Sequence, residues 1–154
     1  MRYPLSFTLN GLPVEVLVKP TDTLLDVLRE KLGVVSAKRG CDTGDCGACT
    51  ILLNGEAFLA CLTIALTVSG KEVTTVEGLM SKDGKLHPLQ QSFHEHYAAQ
   101  CGFCTPGMIM SAKALLDKNP KPTRKEILMN MSSLCRCGAY MEIIEAIEAV
   151  AQAK

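Results

Sequence analysis

The sequence predicts an α+β fold in which the strands come first and the helices follow. Apolar residues alternate with polar ones over residues 5–9 and again over residues 14–18, which is the period of a half-buried strand. From Pro88 onward the apolar residues recur at helical spacing instead. Eight cysteines fall into two groups of four, one on each side of this change. The chain therefore divides into two parts, and each part has its own set of cysteines.

Two β-hairpins and one helix are predicted in the first part. Asn10-Gly11 and Asn54-Gly55 each separate two short apolar runs, and this dipeptide is the strongest local signal for a tight hairpin turn. A capped helix is predicted over residues 23–32, and a last strand over residues 72–76. Two hairpins, a crossing helix and a final strand suggest a small ferredoxin-like β-grasp domain over residues 1–76.

The second part contains helix signals and no strand signals. Residues 77–87 contain glycines and polar residues that are typical of a linker. Residues 88–154 then predict an all-α four-helix bundle, because Cys-Gly, Asn-Pro-Lys-Pro and Cys-Arg-Cys-Gly breaks separate four helical stretches. The predicted helices span residues 88–97, 106–116, 123–131 and 140–151, and Thr123-x-x-Glu126 matches a capping box at the start of the third.

Charge and hydropathy exclude several classes of partner. Sixteen acidic and sixteen basic residues give a net charge of zero, so we expect neither nucleic acid nor an anionic membrane as partner. The longest nearly apolar run covers residues 58–68, about half of the ~20 residues that a membrane-spanning helix requires. No export signal is found at the start of the sequence, so the cytoplasm is the expected location. In a reducing compartment, the eight cysteines are expected to be metal ligands rather than disulfides.

The first cysteine set has the spacing of a plant-type [2Fe-2S] site. The spacing C-x4-C-x2-C, completed by a distant fourth cysteine, is typical of such clusters. Glycines inside the loop allow the backbone to curl tightly, so that several thiolates point inward. A zinc knot or plain buried thiols are the alternatives, but zinc sites usually combine paired C-x2-C elements. The candidate ligands are Cys41, Cys46, Cys49 and Cys61.

The second cysteine set is less specific. A C-x2-C pair at Cys101 and Cys104 is separated by thirty residues from a C-x-C pair at Cys135 and Cys137. Taken alone, this set is compatible with zinc or with iron–sulfur, and the first set in the same chain favours iron–sulfur. A thioredoxin-like reading of Cys101 and Cys104 is weaker, because no βαβ pattern precedes them.

Four motifs together closely resemble the small iron–sulfur subunit of the molybdenum hydroxylase (xanthine oxidase-like) family. They are Gly40-Cys41-Asp42-Thr43-Gly44-Asp45-Cys46-Gly47-Ala48-Cys49-Thr50, His87-Pro88-Leu89-Gln90, Gln100-Cys101-Gly102-Phe103-Cys104-Thr105-Pro106-Gly107-Met108 and Leu134-Cys135-Arg136-Cys137. The resemblance covers nearly the whole chain. It implies two [2Fe-2S] clusters, one per domain. The first four cysteines would hold the cluster that faces a flavin, and the last four would hold the cluster that faces molybdenum.

The resemblance also implies the neighbours of the two clusters. Gln100 and Cys137 would lie against a molybdopterin, which in bacterial three-subunit enzymes is usually a cytosine dinucleotide. The molybdopterin would belong to a large subunit and FAD to a medium subunit, in a heterotrimer or a dimer of heterotrimers. The sequence departs from the family pattern at Ser132-Ser133, where Gly-Asn is common, and at Gly138-Ala139, where Thr-Gly is common.

These observations predict an electron-transfer subunit with no substrate site of its own. Electrons would pass between a molybdenum centre and FAD through two clusters in this chain. A free-standing two-cluster electron carrier is the second hypothesis, although zero net charge gives such a carrier no field for steering. A structural zinc module is the third hypothesis, and it requires both cysteine sets to hold single metal ions.

Overall fold

A mixed five-stranded sheet forms the first part of the chain. The computed structural model describes residues 1–131 and 133–153. Its strands are β1 (Tyr3–Leu9), β2 (Leu12–Val18), β3 (Thr50–Leu53), β4 (Glu56–Leu59) and β5 (Glu72–Thr74), in the spatial order β2-β1-β5-β3-β4. The two hairpins are antiparallel, and β5 joins them by pairing parallel to β1 and antiparallel to β3. We call residues 3–74 the sheet part.

Both predicted hairpin turns are confirmed. Asn10 and Gly11 have φ angles of 51° and 79°, and Asn54 and Gly55 have φ angles of 50° and 83°. Positive φ at both central positions is the requirement of a type I′ turn, which Asn-Gly meets at little steric cost. The resulting registers pair Leu9 with Leu12 and Leu53 with Glu56.

The predicted helix over residues 23–32 is present, but its second half has a different hydrogen-bond pattern. Helix α1 (Leu24–Asp26) begins at Thr23, whose side chain accepts from the Asp26 N–H in a reciprocal capping box. It continues as a π-helical turn over Val27–Lys31, in which the Leu32 N–H donates to the Val27 carbonyl at 3.1 Å. The predicted helix is therefore confirmed, and its second half is π-helical.

The last strand ends two residues before its predicted end. The Thr75 N–H donates to the Asn10 side-chain oxygen at 2.8 Å, so this amide is taken up by a side chain rather than by a sheet ladder. A 3₁₀ turn, Val76–Leu79, follows instead of further strand. This bond to a side chain explains why β5 ends at Thr74 although the alternating pattern in the sequence continues.

Four helices follow the sheet part. They are α2 (Pro88–Glu95), α3 (Thr105–Lys118), α4 (Arg124–Asn130) and α5 (Tyr140–Gln152), and each overlaps a predicted helix. The predicted capping box at Thr123 and Glu126 is confirmed, with both side chains bonded to the backbone of the first turn. Helix α2 ends two residues early, and Tyr97 just beyond it adopts a φ of 54°. We call residues 88–152 the helical part.

Each part has its own hydrophobic core, and a smaller cluster lies between the two cores. The sheet part buries residues such as Leu5, Leu24 and Ile51, whereas the helical part buries Met108, Ile127 and others. Between them, Leu52 on β3 packs with Met110 and Ala114 on α3. Helix α3 therefore lies directly against the sheet. No helix within the described residues is both long and apolar enough to cross a bilayer.

Candidate metal centres

The first cysteine set lies on a tightly curled loop that crosses from α1 to β3. Asp42, Gly44 and Gly47 all have positive φ, so the backbone reverses direction repeatedly. Gly40 has another role, because a Cβ added there would lie 2.6 Å from Cys46 Sγ. The side chain of Cys46 therefore fills the space that the absent side chain of Gly40 leaves. The predicted curl of this loop is confirmed, and glycine serves it both by conformation and by close packing.

Within the first set, the four thiols form two pairs. Cys41 lies next to Cys46, and Cys49 lies next to Cys61, close enough for each neighbour to shift the pKa of a thiol. Cys49 and Cys61 are buried, whereas Cys41 and Cys46 are partly exposed. A cluster of two irons and two sulfides needs two thiolates on each iron. Two pairs of thiols match that requirement.

The surroundings of two thiols of the first set, Cys41 and Cys61, shift their pKa values in opposite directions. The neighbouring Thr43 side chain, followed by amide bonds from Cys46 and Thr43, lowers the pKa of Cys41 to about 6. Burial, together with the neighbouring Cys49, raises the pKa of Cys61 to about 11. Both thiols are expected to be thiolates when they hold iron, because a coordinating thiol loses its proton to the metal charge.

Arg39 anchors this loop to α1, a role that the sequence analysis missed. Its guanidinium donates to both oxygens of Asp42, at 2.8 and 2.7 Å, and to Asp26 Oδ1 at 2.6 Å. The paired carboxylates raise the pKa of Arg39. The Arg39-x-x-Asp42 spacing was the only available signal, and it does not reveal the contact with Asp26.

The second cysteine set lies where two helix starts converge. Cys104 is the N-cap residue of α3, and Cys135 lies on the bend that leads into α5. The Cys135 N–H donates to the Tyr140 hydroxyl oxygen at 2.8 Å, so α5 fixes this bend. Its thiols also form two pairs, because Cys101 lies next to Cys137 and Cys104 lies next to Cys135.

One pair of the second set is at the surface and the other is in the core. Cys101 and Cys137 are exposed, whereas Cys104 and Cys135 are buried. Burial, aided by the adjacent Cys135, raises the pKa of Cys104 to about 12. Gln100, next to Cys101, is also exposed. Gln100 and Cys137 therefore belong to the same exposed edge of the helical part, since Cys101, which follows Gln100, lies next to Cys137.

The donor sets fit two-iron clusters. Each iron of such a cluster takes two thiolates, and each cysteine set supplies two pairs of neighbouring thiols. In addition, the Thr105 hydroxyl is buried next to Cys104 without a hydrogen-bond partner among the described residues. A cluster sulfur would supply the acceptor that this hydroxyl lacks.

A short contact between residues 46–47 and residues 133–134, which we call the seam, joins the two cysteine sets directly. The Leu134 N–H donates to the Cys46 carbonyl at 2.9 Å, and the Ser133 hydroxyl donates to the Gly47 carbonyl at 3.0 Å. The backbones are so close here that a Cβ on Gly107 would lie 2.5 Å from the Gly47 oxygen. The next residue along the chain from Leu134 is a cysteine of the second set. The two sets are therefore separated by only a few bonds through the seam.

The departures from the family pattern fall at the seam and at the last bend. Ser132 lies outside the described residues. Ser133 is buried and forms one of the two seam hydrogen bonds. Gly138 adopts a φ of 83°, and Ala139 is buried just before α5. Of these described departures, Ser133 therefore contributes a hydrogen bond and Gly138 a backbone conformation that favours glycine.

Comparison with known proteins identifies both parts. Residues 7–66 match the family described as 2Fe-2S iron-sulfur cluster binding domain, and residues 75–148 match the [2Fe-2S] binding domain family. The chain is 47% identical to the nicotinate dehydrogenase small FeS subunit of Eubacterium barkeri over 147 residues, which is 95% of this chain and 93% of that subunit.

Solved structures agree with the sequence relatives. Quinoline 2-oxidoreductase from Pseudomonas putida 86 superimposes with a TM-score of 0.93 at 46% identity, covering 99% of this chain and 95% of the matched chain. The aldehyde oxidoreductase from Desulfovibrio desulfuricans ATCC 27774 gives a TM-score of 0.90 at 43% identity, covering 97% of this chain but 17% of that much longer one. The same fold thus occurs as a separate subunit and as a small part of a long chain. A free-standing carrier is accordingly not favoured, and the chain belongs to the family of small iron–sulfur subunits of the multi-subunit molybdenum hydroxylases, in which it serves electron transfer.

Proposed function

We propose that this chain relays electrons between a molybdopterin centre on a large partner subunit and FAD on a medium partner subunit. The observation that carries this proposal is the seam, because it brings the backbone of Cys46 into a hydrogen bond with the residue before Cys135. When bound, each [2Fe-2S] cluster would supply a one-electron redox centre. The residues of this chain fix the positions of the two centres and control the access of water to them.

The ligands of each centre follow from the thiol pairs. Cys41 and Cys46 would hold one iron of the first cluster, and Cys49 with Cys61 the other. In the second cluster, Cys101 would share an iron with Cys137, and Cys104 with Cys135. In both sets, the second-named pair is the more buried one.

Gln100 and Cys137 would contact the pterin of the large subunit. Both are exposed, and the amide of Gln100 offers a donor and an acceptor to the edge of a pterin ring. Phe103 and Leu134, which are 46% and 63% exposed, flank the ligands of this set and would be covered by the same partner. We propose the cytosine dinucleotide form of the cofactor, by similarity to bacterial three-subunit enzymes.

The finer organisation of the chain is part of the proposal. Residues 1–76 would form a β-grasp domain, residues 77–87 a linker and residues 88–154 a four-helix bundle. The four helices share one core in support of that description. We place the chain in a cytoplasmic heterotrimer or dimer of heterotrimers, with neither nucleic acid nor a membrane among its partners, consistent with a net charge of zero.

Metal content and spectroscopy test the relay. The chain is purified without oxygen, iron and acid-labile sulfide are measured, and low-temperature EPR spectra are recorded after reduction by dithionite. We expect about four irons per chain, from two irons in each of two clusters, and two distinct S = 1/2 signals. Zinc in place of iron, or two irons with a single signal, would contradict the assignment of the second cysteine set.

Partner capture tests the assembly. Affinity purification of the tagged chain from its own cells should bring down a molybdopterin-containing subunit and an FAD-containing subunit in equal amounts. Gel filtration should then give one peak that contains all three chains. A chain that carries both clusters but elutes alone at every concentration would instead support an independent carrier.

A further inference from the structure

The peptide group between Gly47 and Ala48 is hydrogen-bonded on its oxygen side by both parts of the molecule. Its carbonyl accepts the Thr50 N–H at 3.1 Å and the Thr50 hydroxyl at 2.6 Å, both from the sheet part. It also accepts the Ser133 hydroxyl at 3.0 Å, from a segment 86 residues further along the chain. Ser133 is only 3% exposed. The bond from Ser133 is therefore shielded from water, where hydrogen bonds are electrostatically stronger.

The nitrogen side of the same peptide group points at a metal ligand. The Ala48 N–H lies within reach of the Cys46 thiol and lowers its pKa, although burial of that thiol has the larger effect and raises the pKa. The packing agrees with this contact, because Cys46 Sγ and Ala48 Cβ both border the space above Gly40. Amide bonds to ligand sulfurs are among the main determinants of the reduction potential of an iron–sulfur cluster.

The two sides of a peptide group influence each other. A donor on the carbonyl oxygen polarises the peptide group, and its N–H becomes a stronger donor, which is the origin of cooperativity in hydrogen-bond chains. Here the chain runs from the Ser133 hydroxyl through the Gly47 carbonyl and the Ala48 N–H to the Cys46 sulfur. A stronger bond to sulfur stabilises the more negative, reduced state of the cluster.

We propose that Ser133, a residue next to the second cysteine set, raises the reduction potential of the cluster at the first set. It acts as a positioning residue through the Gly47–Ala48 peptide group and does not touch the cluster. This inference rests on the proposed function, because it requires a cluster at each set. The reduction potential of the first-set cluster would then depend on whether the segment before Cys135 is packed against the Gly47 carbonyl.

A purely mechanical role of Ser133 would have a different signature. If its hydroxyl only holds residues 133–137 in place, its removal would disturb the second set, which follows two residues later. Thr50 provides the control, since its hydroxyl reaches the same carbonyl from the start of β3, inside the sheet part. Removing that hydroxyl weakens the polarisation of the peptide group and leaves the segment of the second set unchanged.

Redox titration of the intact, cluster-loaded chain, monitored by EPR, tests the inference. In Ser133→Ala the equilibrium constant for reducing the first-set cluster should fall about threefold, or roughly 28 mV at 59 mV per tenfold change for one electron. The second-set cluster should keep its potential. Thr50→Val should shift the first-set cluster in the same direction, whereas Ser133→Thr, which keeps a hydroxyl, should restore the potential of the unmodified chain.

Each other outcome has a definite meaning. A shift of the second-set cluster alone in Ser133→Ala, or no shift of either cluster, would overturn the inference and leave the proposed function intact. If Ser133→Ala fails to fold, an unchanged first-set potential in Thr50→Val would overturn it as well. An unmodified chain that lacks two EPR signals would contradict the proposed function itself, which separates the two failures.

Discussion

The two cysteine sets build similar thiol pairs from very different backbone arrangements. In the first set, three of the four cysteines come from one curled loop, so nine consecutive residues determine most of the site. In the second set, thirty residues separate the two cysteine pairs, each pair lies near the start of a helix, and their approach depends on how α3 and α5 pack. The first site is therefore mostly local, whereas the second is a product of the tertiary fold.

The two sets also differ in how they are held from outside. Arg39 ties the first loop to α1 through two carboxylates, which is an electrostatic attachment. The second set is held by the Tyr140 hydroxyl and by the buried helix core. The difference implies that the first site should respond to charge removal and acid, and the second to changes in packing.

The largest expected effect comes from removing one ligand of either set. Cys137→Ser should abolish the EPR signal of the second cluster and keep the plant-type signal, because the thiols of the first set do not include this residue. Cys46→Ser should do the reverse. EPR of the reduced variants and iron content, which should fall by about half, check this expectation.

If either variant loses both clusters, the two sites can no longer be compared as independent sites. Loss of both signals from either variant would mean that the two sites do not form independently. The seam would then be part of each site rather than a link between two sites, since its hydrogen bonds involve Cys46 on one side and the neighbours of Cys135 on the other.

A packing change at the seam should have the next largest effect. Gly107→Ala places a Cβ 2.5 Å from the Gly47 oxygen and 3.2 Å from Ala48 Cα, where backbone must move to make room. An alanine in an exposed helix would stabilise by about 1 kcal/mol relative to glycine. Here we expect a loss of about 1–3 kcal/mol in the free energy of unfolding instead.

Denaturant unfolding, monitored separately by helix circular dichroism and by the visible absorbance of the clusters, measures this loss. A gain in stability in Gly107→Ala would show that the two backbones are further apart than the seam requires. Loss of cluster absorbance before loss of helix signal would show that the seam opens ahead of the helical core.

The smallest expected effect concerns the charged anchor of the first loop. Burial raises the pKa of Asp26, but hydrogen bonds from Thr23 and Arg39 outweigh it, so the folded pKa lies below the usual 3.8. A carboxyl with a lowered pKa stabilises the fold fully above the unfolded pKa, and this stabilisation is lost as the pH falls through the folded value. Asp26→Ala should cost about 1 kcal/mol at pH 7, because it removes the half of the capping box that accepts the Thr23 N–H at the start of α1.

Urea unfolding of both proteins between pH 7 and pH 3 tests this expectation. The difference between them should stay constant down to about pH 4 and shrink below it, following the reference pKa of an aspartate. Asp22→Ala is the matched control, because Asp22 also caps a local N–H but pairs with Lys31 rather than with Arg39. Only Asp26→Ala should accelerate the loss of the first-set EPR signal on mild heating.

Local chemistry explains which features could be predicted from the sequence. Asn-Gly specifies its own turn, and a capping box specifies its own helix start, so both hairpins and the start of α4 were predicted. The spacing of the first cysteine set likewise indicates its cluster type. The end of β5 was predicted wrongly because Asn10, 65 residues away, takes the Thr75 N–H.

Features that depend on two distant segments could not be predicted. The pairing of Cys101 with Cys137 and of Cys104 with Cys135 requires α3 and α5 to converge, and spacing alone does not fix which thiols meet. The Arg39 anchor and the Ser133 bond involve side chains whose partners are 13 and 86 residues away. The roles of Gln100 and Cys137 toward the pterin stay predictions.

The seam also has a consequence for how the protein matures. During synthesis, the loop of the first cysteine set leaves the ribosome before Ser133 and Leu134 are translated, so at first it has no partner for the seam hydrogen bonds. Metal binding fixes the shape of the loop that provides the ligands. If that shape allows the seam hydrogen bonds to form, these bonds stabilise the same loop shape in return. By this reciprocity, a loop whose cluster-bound shape favours the seam would also favour the seam shape of the other loop, although each loop keeps its own four ligands and can bind a cluster alone.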